Sequence, residues 1–231
     1  MRQSKALLRS MSTAKRAKGK APAAKASNRR RRSPADVRKT AIEAARKLLL
    51  KQGPDAITLK AVAAELRMTH TNLIHHFGSA GELQSALMRD MVSKLTATLE
   101  GAIARYQAGA GEIREFVDIV FDAFDKGGAG RLAAWLMVSG NAKLLAPVGQ
   151  AMREYLQHLE AAVHPTPDEA ADVHRRVTSA TLFVLVAAFG DAIMGDLLRK
   201  MVGRERSAVR TVVGELLPSI SVLARNRAKP Q

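Results

Sequence analysis

The side chains of this 231-residue chain best suited to chemistry lie in one short polar run, Thr69-His70-Thr71-Asn72, followed by His75-His76. Their types suit hydrogen-bonded recognition better than bond making. An asparagine amide can pair with an adenine edge, a threonine methyl fits the methyl of thymine, and hydroxyls and imidazoles reach phosphate oxygens. No GxSxG, HExxH or glycine-rich phosphate loop occurs, and no nucleophile, base and orienting group can be assembled, so no enzyme is expected. His70 stands five and six residues from His75 and His76, off the spacing that shares a helix face. Glu154 and His158 have that spacing, but such pairs are common on exposed helices. No metal and no cofactor are expected. Cysteine is absent, which removes disulfides and thiolate sites and fits a cytoplasmic protein.

The polar run needs a scaffold, and the 20 residues from Leu59 to Gly78 supply one. Leu59, Val62, Ala63 and Leu66 recur at helical spacing; Arg67 to Thr69 form a turn; Leu73, Ile74 and Phe77 mark a second short helix ending at Gly78. Two such helices crossed steeply make a helix-turn-helix, whose second helix enters a DNA major groove. Ser33-Pro34 predicts the start of a helix before this unit, with Val37, Ile42, Ala45, Leu48 and Leu49 on one face and an end at Gln52-Gly53-Pro54. Thr58, Thr69 and Ser79 are the expected caps of the next three helices.

Beyond Ser79 the apolar positions recur every four residues to about Tyr106, predicting a helix of about 27 residues. Helices follow over about 112–126, around Leu132 to Met137 after a loop at Gly127, Gly128 and Gly130, and from Pro147 to about Val163. The longest runs from Pro165–Asp168 to about Val202, and the last from Ser207 to about Ala224. No strand-like alternation appears, so the fold is expected to be all-α with about nine helices. Val177 to Leu198 is apolar enough to suggest a membrane span, but Asp191 and Asp196 make a buried bundle helix the better reading, and no membrane partner is expected.

Charge divides the chain. Of a net +16, residues 1–33 contribute twelve Lys or Arg and no acid, leaving only +4 for the remainder. Without apolar periodicity or the hydrophobic core of a secretory signal, this segment reads as a disordered basic tail. Beside a DNA-binding unit, such a tail adds phosphate contacts and steepens the salt dependence of binding. The organisation expected is therefore a tail at 1–33, a helix-turn-helix domain at 34–80 and a helical regulatory and dimerisation domain at 81–231.

Residues 35–90 resemble the N-terminal domain of the tetracycline-repressor (TetR) family of bacterial transcriptional regulators. The resemblance rests on an amphipathic first helix ending at a glycine, then Ile57-Thr58-Leu59-Lys60-Ala61-Val62-Ala63. Thr69-His-Thr-Asn-Leu-Ile-His-His-Phe77-Gly-Ser79 and Glu82-Leu83 follow in the same order. By that resemblance Thr58 and Lys60 lie where the family contacts phosphates, and Thr69 sets a hydroxyl and an amide against another. His70, Thr71 and Asn72 face base edges, while His75 and His76 reach the backbone or, for His76, cap and pack. Departures matter too: Arg67 replaces a usual turn glycine, Ile74 a usual aromatic, and Ala80 a frequent lysine. Two phosphate donors are thereby lost, leaving the basic tail to compensate.

In the resembling family the body dimerises through its last two long helices and encloses a ligand that alters the spacing of the heads. The expected seam is Val173, Val177, Val184, Ala187 and Ala188 with Val212, Val213, Leu216 and Ile220. The expected ligand site is Phe116, Val120, Phe124, Trp135, Met137, Met152 and Tyr155, with Asp191 as a buried polar contact. Such a lining suits a small apolar or aromatic effector. The leading expectation is a homodimeric regulator, a repressor of a palindromic double-stranded operator that the effector releases. A second reading, of another class, is a general DNA-coating protein that binds mainly through its tail.

Overall fold

Helix formation begins at Ser33, whose hydroxyl accepts from the Asp36 amide at 3.1 Å while the Asp36 carboxylate accepts from the Ser33 amide at 3.2 Å. This reciprocal cap opens α1 (Pro34–Gln52). Thr58 and Thr69 cap α2 (Leu59–Leu66) and α3 (His70–Phe77) by accepting from the Ala61 and Asn72 amides at 3.1 and 3.3 Å. Ser79 does the same for α4 (Ala80–Gln107), accepting from Glu82 at 3.1 Å. There follow α5 (Ile113–Phe124), α6 (Ala129–Val138), α7 (Ala146–Ala161), α8 (Ala170–Val202) and α9 (Ala208–Ile220). The computed structural model describes residues 33–220; among them are these nine α-helices, two short 3-10 turns and no strand. The expected basic tail, apart from Ser33, and the expected continuation of the last helix to Ala224 lie outside the described residues.

Two apolar cores form, and α4 serves both. The first joins α1, α2 and α3 to the N-terminal half of α4 through Leu48, Leu49, Val62, Leu73, Phe77, Leu83 and Leu87, and draws in Leu132 and Leu136 of α6. The second joins the C-terminal half of α4 to α5, α7, α8 and α9 through Leu99, Ile103, Phe116, Val117, Phe121, Leu159, Val184 and Leu217. Charge ties α9 onto α5: Arg210 pairs with Asp122 at 2.6 Å and Asp118 at 3.4 Å, Arg206 pairs with Asp125 at 2.9 Å, and the Arg210 guanidinium lies 5.4 Å from the Phe121 ring centre. Burial works against the Asp122 carboxylate, but hydrogen bonds from Lys126 and Arg210 outweigh it and hold its pKa below the ordinary value.

Several expectations need correction. Gly130 is not a loop residue; it is buried in the first turn of α6, where a Cβ would stand 2.9 Å from the Ala192 Cβ and 3.1 Å from the Phe124 carbonyl oxygen. Ile42 is only partly buried, the first-helix core being completed by Ala41 and Ala44. The expected seam faces largely the wrong way: Val173, Val177, Val184, Ala188 and Val213 are buried in the chain's own core. The uncovered apolar stripe of α8 instead runs through Leu182, Val186, Gly190, Ile193, Leu197 and Met201, with Leu182 62% and Met201 73% exposed. On α9, Val212, Leu216 and Ile220 do face outward. By length and composition α8 could span a bilayer, but it packs against α5, α6, α7 and α9 and carries charges that hydrocarbon would exclude.

Arg67 resolves the question posed by the missing turn glycine. It caps α2 in the left-handed region, at φ 53° and ψ 43°, and its amide donates to the carbonyls of Ala63 and Ala64. For a residue with a Cβ this conformation costs about 1 kcal/mol. Arg67→Gly should therefore stabilise the protein by about 1 kcal/mol, a rise of roughly 2–4 °C in Tm by far-UV circular dichroism; an unchanged or lower Tm would show that the Arg67 side chain has compensating contacts.

Candidate nucleic-acid interface and ligand cleft

An eight-residue helix has little stability of its own, so α3 keeps its shape through what holds its two ends. Leu73 and Phe77 anchor its inner face in the first core. At its C-terminal end the Arg38 guanidinium, from α1, donates to the His76 carbonyl oxygen and lies 4.6 Å from the centre of the Phe77 ring. One cation thereby satisfies a carbonyl that the helix leaves open and stacks on the neighbouring aromatic. Arg38 was not legible in the sequence, since its partner is 38 residues away and no local pattern joins them.

With the inner face fixed, His70, Thr71, Asn72 and His75 are all exposed, as are Thr58, Lys60 and Thr69. His76 alone is half-buried, with its carbonyl engaged by Arg38. All of the candidates but His76 are therefore open to solvent, with Thr58 and Thr69 at the N-caps of α2 and α3. Neither helix has an acidic residue in its first turn, so no carboxylate offsets the positive dipole end at either N-terminus. Groups of these types can hold phosphate oxygens at the two caps and offer His70, Thr71 and Asn72 to base edges.

The connection from this face to the body runs through neighbouring residues of α4. Gln84, only 4% exposed, donates to the Ile57 carbonyl oxygen at 3.0 Å, at the entrance to α2. Ser85 donates to the Leu144 carbonyl oxygen at 3.1 Å, in the turn before α7. Neither side chain was singled out in the sequence, since their partners lie 27 and 59 residues away.

An inner cavity and an outer cleft lie among the described residues of the body. The inner one, about 90 Å³, is walled by Leu95, Leu99, Phe116, Val120, Met152, Tyr155 and Val184 among others, with Thr96, Thr181 and Tyr155 as its polar residues. Burial raises the Tyr155 hydroxyl's pKa further, so it stays a neutral hydrogen-bonding group. The outer one is a cleft of about 780 Å³ between α1, α4, α5, α6, α7 and α8, lined by Phe124, Met137, Met152 and Phe189 among others. Leu95, Met152 and Leu185 belong to both. Of the expected ligand residues, six thus line one cavity or the other. Trp135 and Asp191 line neither. Trp135 packs on the first core. Asp191 is paired with Arg199, which is 8% exposed and also bonds Asp196 at 2.6 Å. The pKa of Asp191 is raised by burial against the opposing pull of Arg199.

Residues 41–87 match the profile of the family described as bacterial regulatory proteins, tetR family. An HTH-type transcriptional repressor of Mycobacterium tuberculosis (strain ATCC 25618 / H37Rv) is 28% identical over 164 residues, which cover 70% of this chain and 75% of the relative. An HTH-type transcriptional regulator of Mycobacterium bovis shares the same identity and coverage. Among solved structures, the fatty acid degradation regulator FadR from Bacillus halodurans superposes with a TM-score of 0.53 at 11% identity, covering 78% of this chain and 93% of that one. A transcriptional regulator from Saccharomonospora viridis, solved in complex with choline, also gives 0.53, at 14% identity and 79% and 96% coverage. At those identities the two structures establish the fold.

Replacing Arg38 by Met keeps the alkyl packing and removes the donor. We expect a loss of about 2 kcal/mol in urea unfolding, with faster amide exchange concentrated in α3; exchange unchanged in α3 would mean that the apolar anchors hold the helix unaided.

Proposed function

We propose that this chain is a transcriptional regulator of the tetR family and works as a homodimeric repressor released from a palindromic operator by a small, mainly apolar effector. The observation that carries this reading is the exposed row His70-Thr71-Asn72 at the N-terminal end of a helix whose two ends and inner face are held. In it, residues 34–80 act as the reading head and 81–231 as the regulatory and dimerising body. Thr58, Lys60 and Thr69 hold phosphates, with His75 beside them; His76, half-buried, contributes packing and at most a backbone contact. Two heads about 34–36 Å apart meet successive major grooves.

The sign of regulation is supported by the name of the Mycobacterium tuberculosis relative, a repressor. Dimerisation is supported by the uncovered apolar stripe of α8 and the outward Val212, Leu216 and Ile220 of α9, exposed apolar surface of the kind that favours association. The effector's character is supported by Phe116, Val120, Phe124, Met137, Met152 and Tyr155 around the inner cavity and the outer cleft. An effector that binds better to a state with differently spaced heads releases DNA by that difference in affinity.

In a selection from random duplexes, wild-type protein should enrich a palindrome, and Asn72→Ala should relax preference at one position of each half-site, costing about 1–3 kcal/mol on the selected site. An unselective pool from both proteins would instead favour a DNA-coating role through the basic tail. Leu197→Arg, on the outward stripe, should shift the protein from dimer to monomer by light scattering and weaken operator binding; a dimer of undiminished stability would move the interface elsewhere.

A further inference from the structure

The outer cleft is apolar except for Arg46, Lys94, Thr98 and Asp122. Three of these carry charge, and two are already engaged. Lys94 pairs with Asp90 at 2.7 Å, and Asp122 pairs with Lys126 at 2.9 Å and Arg210 at 2.6 Å. Arg46 is half-buried on α1 and, among the described residues, forms no ion pair or hydrogen bond. A half-buried guanidinium that shares the cleft wall with Met88, Met91 and Val92 and has no such partner favours an incoming anion. From the same cleft the walls at Leu95, Met152 and Leu185 continue into the inner cavity, where the polar residues are all uncharged.

We propose that this cleft binds an anionic amphiphile, a carboxylate with an extended apolar body, whose head is held by Arg46 and whose body runs along Phe124, Met137 and Met152 toward the inner cavity. The planar fork of arginine matches a carboxylate in two parallel hydrogen bonds, and the apolar walls supply burial for the remainder. Arg46 lies on the helix that also carries Arg38, eight residues earlier, and Arg38 holds the last turn of α3. An ion pair at Arg46 therefore pulls on the helix that fixes the reading face. This inference rests on the ligand-responsive reading above for its consequence at DNA, but the site itself is tested by binding alone.

The chain's single tryptophan, Trp135, sits on α6 between the lining residues Ala133 and Met137, so its fluorescence reports on the cleft. Full-length protein should be titrated below the micellar range with dodecanoate, dodecanol and dodecyltrimethylammonium, following Trp135 emission and heat. Dodecanoate should bind at least tenfold more tightly than either of the others. Arg46→Gln should erase that margin without altering dodecanol binding, and Arg46→Lys should restore part of it. Equal affinity for dodecanoate and dodecanol, or a margin that survives in Arg46→Gln, overturns the assignment. A separate release assay on the selected operator keeps the two ideas apart: dodecanoate that binds through Arg46 yet leaves DNA bound supports the site and removes the effector reading.

Discussion

A recognition surface built on eight residues is possible only if something other than those residues holds it, and here that constraint organises the N-terminal half of the chain. The α3 backbone is fixed at one end by a threonine hydroxyl and at the other by a guanidinium from α1. Both groups act on backbone atoms, which leaves the outward side chains free of structural duty. That separation explains how His70, Thr71 and Asn72 can all be exposed on a helix whose Leu73 and Phe77 form part of a core.

The local signals in the sequence were legible because they act over three or four residues. Ser33, Thr58, Thr69 and Ser79 cap where their spacing to the following helix says they should. What was not legible is what depends on distant partners. Arg38, Gln84 and Ser85 each reach a carbonyl 27 or more residues away. For α8 the difficulty was different. The helix is apolar on more than one side, so periodicity identifies a helix but does not say which side meets the chain's own core. The valines assigned to a seam turned inward, while longer side chains such as Leu197 and Met201 were left outside. Asp191 illustrates a third limit: a lone carboxylate in an apolar stretch reads as a ligand contact until its arginine, eight residues further on, is seen to close on it.

The two cores do not coincide with a division of the sequence at residue 80. Leu132 and Leu136 of α6 sit among residues of α1 and α4, and the outer cleft takes lining residues from α1 as well as from α5 to α8. A molecule in that cleft would touch elements of both cores at once. Adjacent residues of α4, Gln84 and Ser85, hold the entrance to α2 and the approach to α7. Whatever shifts α4 must therefore be accommodated on both sides.

The length of α4 has a mechanical corollary. At 1.5 Å per residue its 28 residues make a stiff rod about 42 Å long, with no proline or break along it. Pivoted at Tyr106, a tilt of only about five degrees would sweep Ser79 through some 3–4 Å, about the rise of one base pair along duplex DNA. Leverage of that kind turns a displacement too small to disturb packing at one end into a misfit of a whole step at the other.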